Sequence, residues 1–363
     1  MSLKIPEGLL HATRLVRRGK LSEATDAIQR ALRGGYAPSA YKPDAGMDVE
    51  SEPIPGYYRV VELEPQESTG KTFVGGTYAN AAGTRRYKIY IPASHGRGAL
   101  PLVVMLHGCR QDPDDFAAGT RMNLLAEELG FIVVYPGQPG DANAHSCWNW
   151  FEPGHQQRDV GEPSLIAGIT REVVKAHGVD ADRVYIAGLS AGGAMAAVMG
   201  ATYPDVYAAV GVHSGLAYGS ARDVATAFSA MRGPGPLGGR RKAHGAAATA
   251  QNVPMIVFHG DSDTTVHPSN GDDLIAQASP APEAAAGPEG AREARVERGT
   301  ARGREYTRTT YTDDSGRPVM EQWLVHGANH AWSGGSAEGS FADTSGPDAS
   351  REMLRFFLQH RKS

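Results

Sequence analysis

The 363-residue chain is 41% hydrophobic, enough to bury one large core, and sets 36 basic against 40 acidic side chains for a formal net charge of −4. That balance leaves no basic surplus to neutralise nucleic-acid phosphates, and no apolar run is long enough to cross a bilayer. The expected partner is therefore a small molecule or a soluble polymer, with no nucleic acid and no membrane, and oligomeric state is left open.

Residues 1–10 carry a lysine but no apolar segment of the kind a secretory signal needs, so the expected address is cytoplasmic, or extracellular if the chain is a trimmed piece. Leu9, Ala12 and Val16, then Leu21, Ala24, Ile28 and Leu32, fall at helical spacing on either side of Gly19. This predicts an N-terminal helical extension over residues 1–35. Residues 36–70 are rich in Pro, Gly and acidic side chains and read as a linker. The catalytic domain is expected over residues 71–363.

Within it, Thr72–Val74 and Tyr87–Ile91 read as early strands, the second with polar and apolar residues alternating. Short apolar runs follow at Leu102–Leu106, Phe131–Tyr135, Val184–Ala187, Ala208–Val212, Met255–His259 and Met320–Val325, as expected of parallel strands buried on both faces. Helical periods at Pro113–Leu129 and Pro163–Ala176 lie between them. The alternation predicts an α/β fold: a mostly parallel, doubly wound sheet of about eight strands, with its site at the carboxyl ends of the strands. Residues 217–253 read as an insertion where a lid would sit, and residues 279–304, built mainly of Ala, Pro, Gly, Glu and Arg, as a low-complexity surface excursion without a catalytic part.

The run Val184-Tyr185-Ile186-Ala187 leads directly into Gly188-Leu189-Ser190-Ala191-Gly192-Gly193 and then a small-residue helix. A strand, Gly-x-Ser-x-Gly and a helix in that order make a nucleophile elbow, in which the flanking glycines admit a turn too tight for a Cβ. A serine hydroxyl is a weak nucleophile, so Ser190 needs an imidazole base and a carboxylate to orient that base. An acidic residue follows the Met255–His259 strand in His259-Gly260-Asp261-Ser262-Asp263, and an imidazole follows the last strand in Gly327-Ala328-Asn329-His330. Asp263 is favoured over Asp261, which is expected to cap the turn; His330 is favoured over His259 and His267. The oxyanion donors are expected to be the amide of Ala191 and the amide of Cys109 in His107-Gly108-Cys109-Arg110-Gln111. No cluster of cysteine and histidine suggests a metal, and the chemistry needs no cofactor.

Together, Leu106-His107-Gly108-Cys109-Arg110-Gln111, Cys147-Trp148-Asn149-Trp150, the elbow, His259-Gly260 with Asp263, and His330-Ala331-Trp332 resemble the polyhydroxybutyrate-depolymerase type of esterase. That family lies in the α/β-hydrolase superfamily and is related to feruloyl and acetylxylan esterases. The resemblance spans roughly residues 72–360 and implies the α/β-hydrolase fold, with Ser190 as nucleophile, Asp263 as the orienting acid and His330 as the base. It implies a serine carboxylesterase acting on short-chain or hydroxyalkanoate esters. A feruloyl- or acetylxylan-type esterase and a peptidase of the superfamily are the alternatives within the fold, and a non-catalytic binding protein the alternative outside it. Ser333 departs from the proline the family often carries after the tryptophan, and the lack of a granule-gripping module favours soluble esters over crystalline polymer. Trp148, Trp150 and Trp332 are assigned to substrate binding, although Trp148 and Trp150 could equally pack their loop down. The resemblance to secreted enzymes suggests that Cys109 and Cys147 pair, and a cytoplasmic address argues against it.

Overall fold

The computed structural model describes residues 72–96, 98–233, 253–278 and 294–362. The expected N-terminal extension and linker, and residues 234–252 and 279–293 of the two insertions, lie outside the described residues.

The chain enters a ten-stranded sheet through β1 (Thr72–Asn80) and β2 (Gly83–Ile91), an antiparallel pair whose second strand also pairs antiparallel with β4 (Ile132–Pro136). The centre consists of β3 (Leu102–Leu106), β4, β5 (Val184–Leu189), β6 (Ala209–His213) and β7 (Met255–Gly260). To these is added β10 (Pro318–Val325), which leaves β8 (Ala294–Ala301) and β9 (Arg304–Thr312) to form the far edge. In space the order is β1-β2-β4-β3-β5-β6-β7-β10-β9-β8, parallel from β4 to β10 and antiparallel at both ends. Every residue of β3, β4, β5, β6 and β7 is buried, which explains why these segments, apart from His213 and His259, are apolar instead of alternating.

Helices α1 (Pro113–Thr120), α2 (Met122–Leu129), α3 (Gly161–Ala176), α4 (Ala191–Thr202), α5 (Val224–Met231), α6 (Ser269–Ala278) and α7 (Ala349–Phe357) join and cover the strands. Two apolar clusters lie on the two faces of the sheet. One includes Ile166 and Ile169 of α3 and Met195 and Met199 of α4, and the other Phe116, Met353 and Phe357. The small residues of α4 let it lie close to the sheet: a Cβ on Gly200 would press on Cγ2 of Val210 at 2.6 Å. Among the described residues no helix is long and apolar enough to cross a membrane.

Three expectations are corrected. Among the described residues the sheet has ten strands, not about eight. The described end of the stretch 279–304 is regular structure, since Ala294–Ala301 is strand β8 and Arg304 opens β9. Its charged side chains reflect a solvated edge strand, where exposure removes the apolar signature. The helical stretch 113–129 is two helices, broken at Arg121 in the left-handed region (φ 54°), where its guanidinium donates to the Gly334 carbonyl at 2.8 Å.

Candidate active site

Because β3, β5, β6, β7 and β10 are parallel neighbours, the loops that follow them gather at one sheet edge. Ser190 stands between β5 and α4 with φ 57° and ψ −118°, a strained conformation for a residue with a side chain. Packing enforces the turn. A Cβ on Gly188 would strike the carbonyl of Gly192, and one on Gly192 would strike the carbonyls of Leu106 and His107. The Ser190 amide donates to the His213 carbonyl at 2.9 Å, and the Ser190 carbonyl accepts from Ala194 as α4 begins.

Asp263 follows β7 and His330 follows β10, on adjacent strands. The Asp263 side chain is buried, and its Oδ2 lies 2.7 Å from Nδ1 of His330. Its Oδ1 accepts from the amides of Thr265 and Val266, each at 2.9 Å. Burial opposes ionisation of this carboxyl, but the hydrogen bond and charge of His330, with the Val266 amide and His259, hold it below the ordinary aspartate range. Oδ2 therefore accepts from an N–H on Nδ1 of His330, leaving Nε2 as the nitrogen able to take a proton.

The rival residues have other hydrogen-bond partners, although His259 Nε2 also lies 3.6 Å from Asp263 Oδ2. Asp261 accepts from the Gly327 amide at 2.7 Å and lies 2.9 Å from His326 Nδ1, so it fastens the loop leading to His330. His259 is buried with Nε2 2.8 Å from the Val266 carbonyl, and desolvation lowers its pKa. His267 turns to Ser269 at 2.9 Å. Among the described residues no hydrogen bond joins the Ser190 hydroxyl to His330; contacts of this type commonly tighten only around a reacting substrate.

The loop after β3 packs against the elbow. A Cβ on Gly108 would lie 3.6 Å from that of Ser190, and the Gly108 amide donates to Gln111 Oε1 at 3.0 Å. Among the described residues, neither the Cys109 nor the Ala191 amide is given to another loop or side-chain acceptor. Cys109 is bonded to Cys147, which resolves the pairing left open by the sequence. On a chain-entropy basis, closing this loop stabilises the fold by about 4 kcal/mol.

The structure buries the three tryptophans that the sequence assigns to substrate. Trp148 is fully buried and donates Nε1–H to the His107 carbonyl at 3.1 Å. Trp332 is 1% exposed, donates to Ser350 Oγ at 3.0 Å and stacks on His213, while Trp150 is 6% exposed and packs edge-on to Phe151. Each indole is taken up largely by the interior.

Sequence reasoning missed His213. It ends β6, is buried between the rings of Phe258 and Trp332, and receives the Ser333 amide on Nε2 at 3.0 Å. Desolvation, with the neighbouring His259 and His330, pushes its pKa down to about 3. A histidine closing an apolar strand run was its only signal. His107 is similarly buried and lowered by desolvation; its Nε2 accepts from the Gln138 amide at 3.0 Å, so Nδ1 carries the proton and donates to the Gly108 carbonyl at 2.8 Å.

A serine elbow, an Asp–His pair and a strand order of this kind define an α/β-hydrolase. The chain belongs to the esterase PHB depolymerase family, whose model matches residues 85–299. It is 36% identical over 182 residues to poly(3-hydroxyalkanoate) depolymerase C of Paucimonas lemoignei, covering 49% of this chain and 44% of that one. It is 34% identical over 178 residues to feruloyl esterase B of Neurospora crassa, covering 46% of this chain and 60% of that one. The chain thus spans about half the length of the curated relatives it matches. In fold it is similar to the acetyl xylan esterase from Aspergillus awamori, with a TM-score of 0.58 at 21% identity over 76% of this chain and 94% of that structure.

Proposed function

We propose that the protein is a serine carboxylesterase acting on short-chain or hydroxyalkanoate esters, with Ser190 as nucleophile, His330 as base and Asp263 as its orienting acid. The observation that carries this reading is the buried Asp263–His330 hydrogen bond of 2.7 Å on the same sheet edge as the strained Ser190 elbow. His330 takes the proton of Ser190 through Nε2 as the hydroxyl oxygen attacks the ester carbonyl. Asp263 keeps the other nitrogen protonated and stabilises the imidazolium. The carbonyl oxygen becomes an anion facing the amides of Cys109 and Ala191, each worth about 3 kcal/mol to the transition state. His330 then returns the proton to the departing alcohol. A water attacks the acyl-enzyme by the same route, releasing the acid and restoring Ser190.

The named substrates of the relatives, hydroxyalkanoate polymer, feruloyl esters and acetylated xylan, support an ester as the substrate class. The Cys109–Cys147 bond supports an oxidising compartment over the cytoplasmic address expected from sequence. The test is Ser190→Ala, which removes turnover of p-nitrophenyl acetate and butyrate and labelling by a fluorophosphonate while the melting temperature stays put. Full activity in that variant would assign the nucleophile elsewhere, and a panel of acetyl, butyryl, hydroxybutyryl and feruloyl esters then ranks the acyl preference.

A further inference from the structure

Among the described residues, one wholly buried acidic side chain has no use in the proposed mechanism. Glu162, in the first turn of α3, is wholly shielded from solvent on the flank of the sheet that faces residues 136–151. Oε1 accepts from Gln138 Nε2 at 2.5 Å and Asn149 Nδ2 at 2.7 Å, and Oε2 accepts from the Asn149 amide at 2.8 Å. Arg85, itself buried on β2, brings a guanidinium nitrogen to 3.5 Å. The Glu162 amide donates to His155 Nδ1 at 3.0 Å, and Gly161 (φ 55°) permits that approach because a Cβ there would lie 2.9 Å from the same nitrogen.

The two residues gripped by this carboxylate lead directly to the loop after β3. The Gln138 amide donates to His107 Nε2 at 3.0 Å, and its side chain also donates to the Cys147 carbonyl at 3.0 Å. Asn149 lies two residues beyond Cys147, which is bonded to Cys109, and Trp148 between them donates to the His107 carbonyl. Three separate ties thus run from the Glu162 cluster to His107 and Cys109, the two residues on either side of Gly108. A buried carboxylate is costly unless fully hydrogen-bonded, so a cluster that satisfies one this completely holds its partners in a single arrangement.

We propose that Glu162 is a positioning residue for the oxyanion hole: through Gln138 and Asn149 it fixes the Cys147 segment, and through that segment the direction of the Cys109 amide. The inference rests on the esterase reading above. A donor held by this cluster acts on the transition state, where the oxyanion forms, and much less on the bound ester.

The experiment compares the wild type with Glu162→Gln and, as a smaller lesion that leaves the Oε2–amide bond in place, Asn149→Ala. Each is assayed on p-nitrophenyl acetate at a temperature where circular dichroism shows it folded, with competent sites counted by fluorophosphonate titration. Inhibition by an aryl trifluoromethyl ketone, which forms a tetrahedral oxyanion on the serine, is measured alongside. For Glu162→Gln, kcat per titrated site and affinity for the ketone are expected to fall together by about 10- to 100-fold, below the loss from removing a donor outright, while KM changes less than about threefold. Asn149→Ala is expected to shift both in the same direction by a smaller factor. If either folded variant keeps wild-type kcat per site and ketone affinity, with only its melting temperature lowered, Glu162 is structural and the proposal fails. A wild type that neither hydrolyses the ester nor labels at Ser190 would instead overturn the esterase reading itself, and the proposal with it.

Discussion

The amide of Ser333 donates to Nε2 of His213 across 3.0 Å, tying the segment just beyond His330 to the end of β6. A proline at 333, which the family resemblance would favour, has no N–H to give, so the departure at this position coincides with a bond that anchors the loop of the base. Because Nε2 accepts, the ring is neutral, with its proton on Nδ1 toward Ser214 Oγ at 3.2 Å.

That neutrality has a sign in acid. Burial pushes the His213 pKa down from the ordinary 6.5 to about 3 in the folded chain, so between these pH values the unfolded chain binds more protons and stability rises with pH. The contribution is fully present above about pH 6.5 and is lost as pH falls toward 3. His213→Gln retains an acceptor for Ser333 but cannot titrate. Urea unfolding from pH 4 to 6 should show a shallower acid slope in the variant, by up to about 1.4 kcal/mol per pH unit. Parallel slopes would mean that His213 is not held neutral.

The two aspartates after β7 should separate cleanly. Asp263→Asn removes the partner that fixes the His330 tautomer and is expected to lower kcat by about 10⁴-fold. Asp261→Asn loosens a fastening at Gly327 and His326 on the protein surface, and kcat is expected to remain within about tenfold. Kinetics of the two variants on one ester check the contrast; equal losses would remove the basis for assigning the acid to Asp263.

How far the chain was legible follows from where side chains meet water. The strands β3 to β7 announced themselves because both faces are buried, and the elbow because Gly188 and Gly192 are sterically obligatory. The hairpin β8–β9 did not, since Arg295, Glu297 and Arg298 sit on an edge strand with solvent beside them. Its signal was present in the Thr- and Tyr-rich run 306–312 and in Arg302-Gly303, both at positive φ in a two-residue turn. The tryptophans are hard to read for another reason: an indole has both a large apolar body and one N–H donor, and sequence alone does not show whether a ligand or a carbonyl such as that of His107 receives it. His213 and Glu162 stayed hidden because their roles depend on partners 120 and 13 residues away.

The elbow offers a sharper stability test than its serine. A methyl group on Gly192 meets the carbonyl oxygens of Leu106 and His107, which are backbone atoms of β3 and the loop after it and have little freedom to retreat. Gly192→Ala is expected to destabilise the protein by about 2–4 kcal/mol and to displace the Cys109 loop, so that activity falls even where the variant is folded. Thermal unfolding and kcat per titrated site measure the two losses. A variant of unchanged stability would show that α4 can move away from β3, and that the turn is looser than these contacts imply.

The disulfide gives a prediction that joins stability to the site. Cys109 and Cys147 are separated by 38 residues, and opening that loop returns to the unfolded chain an entropy worth about 4 kcal/mol near room temperature. For a domain of this size the melting temperature should fall by on the order of 10 °C on reduction. Intact mass should gain two alkyl groups only after a reductant is added; labelling without one would show free thiols. Reduction also removes one of the three ties between residues 136–151 and the loop after β3, while the Gln138–His107 and Trp148–His107 bonds remain. The reduced enzyme, assayed well below its new melting temperature, should therefore keep part of its kcat. It should lose far more when Glu162→Gln is added than the oxidised enzyme does, because the two changes then act on one loop with a single remaining set of anchors. Losses that multiply independently would show that the bond and the buried carboxylate hold separate parts of the molecule.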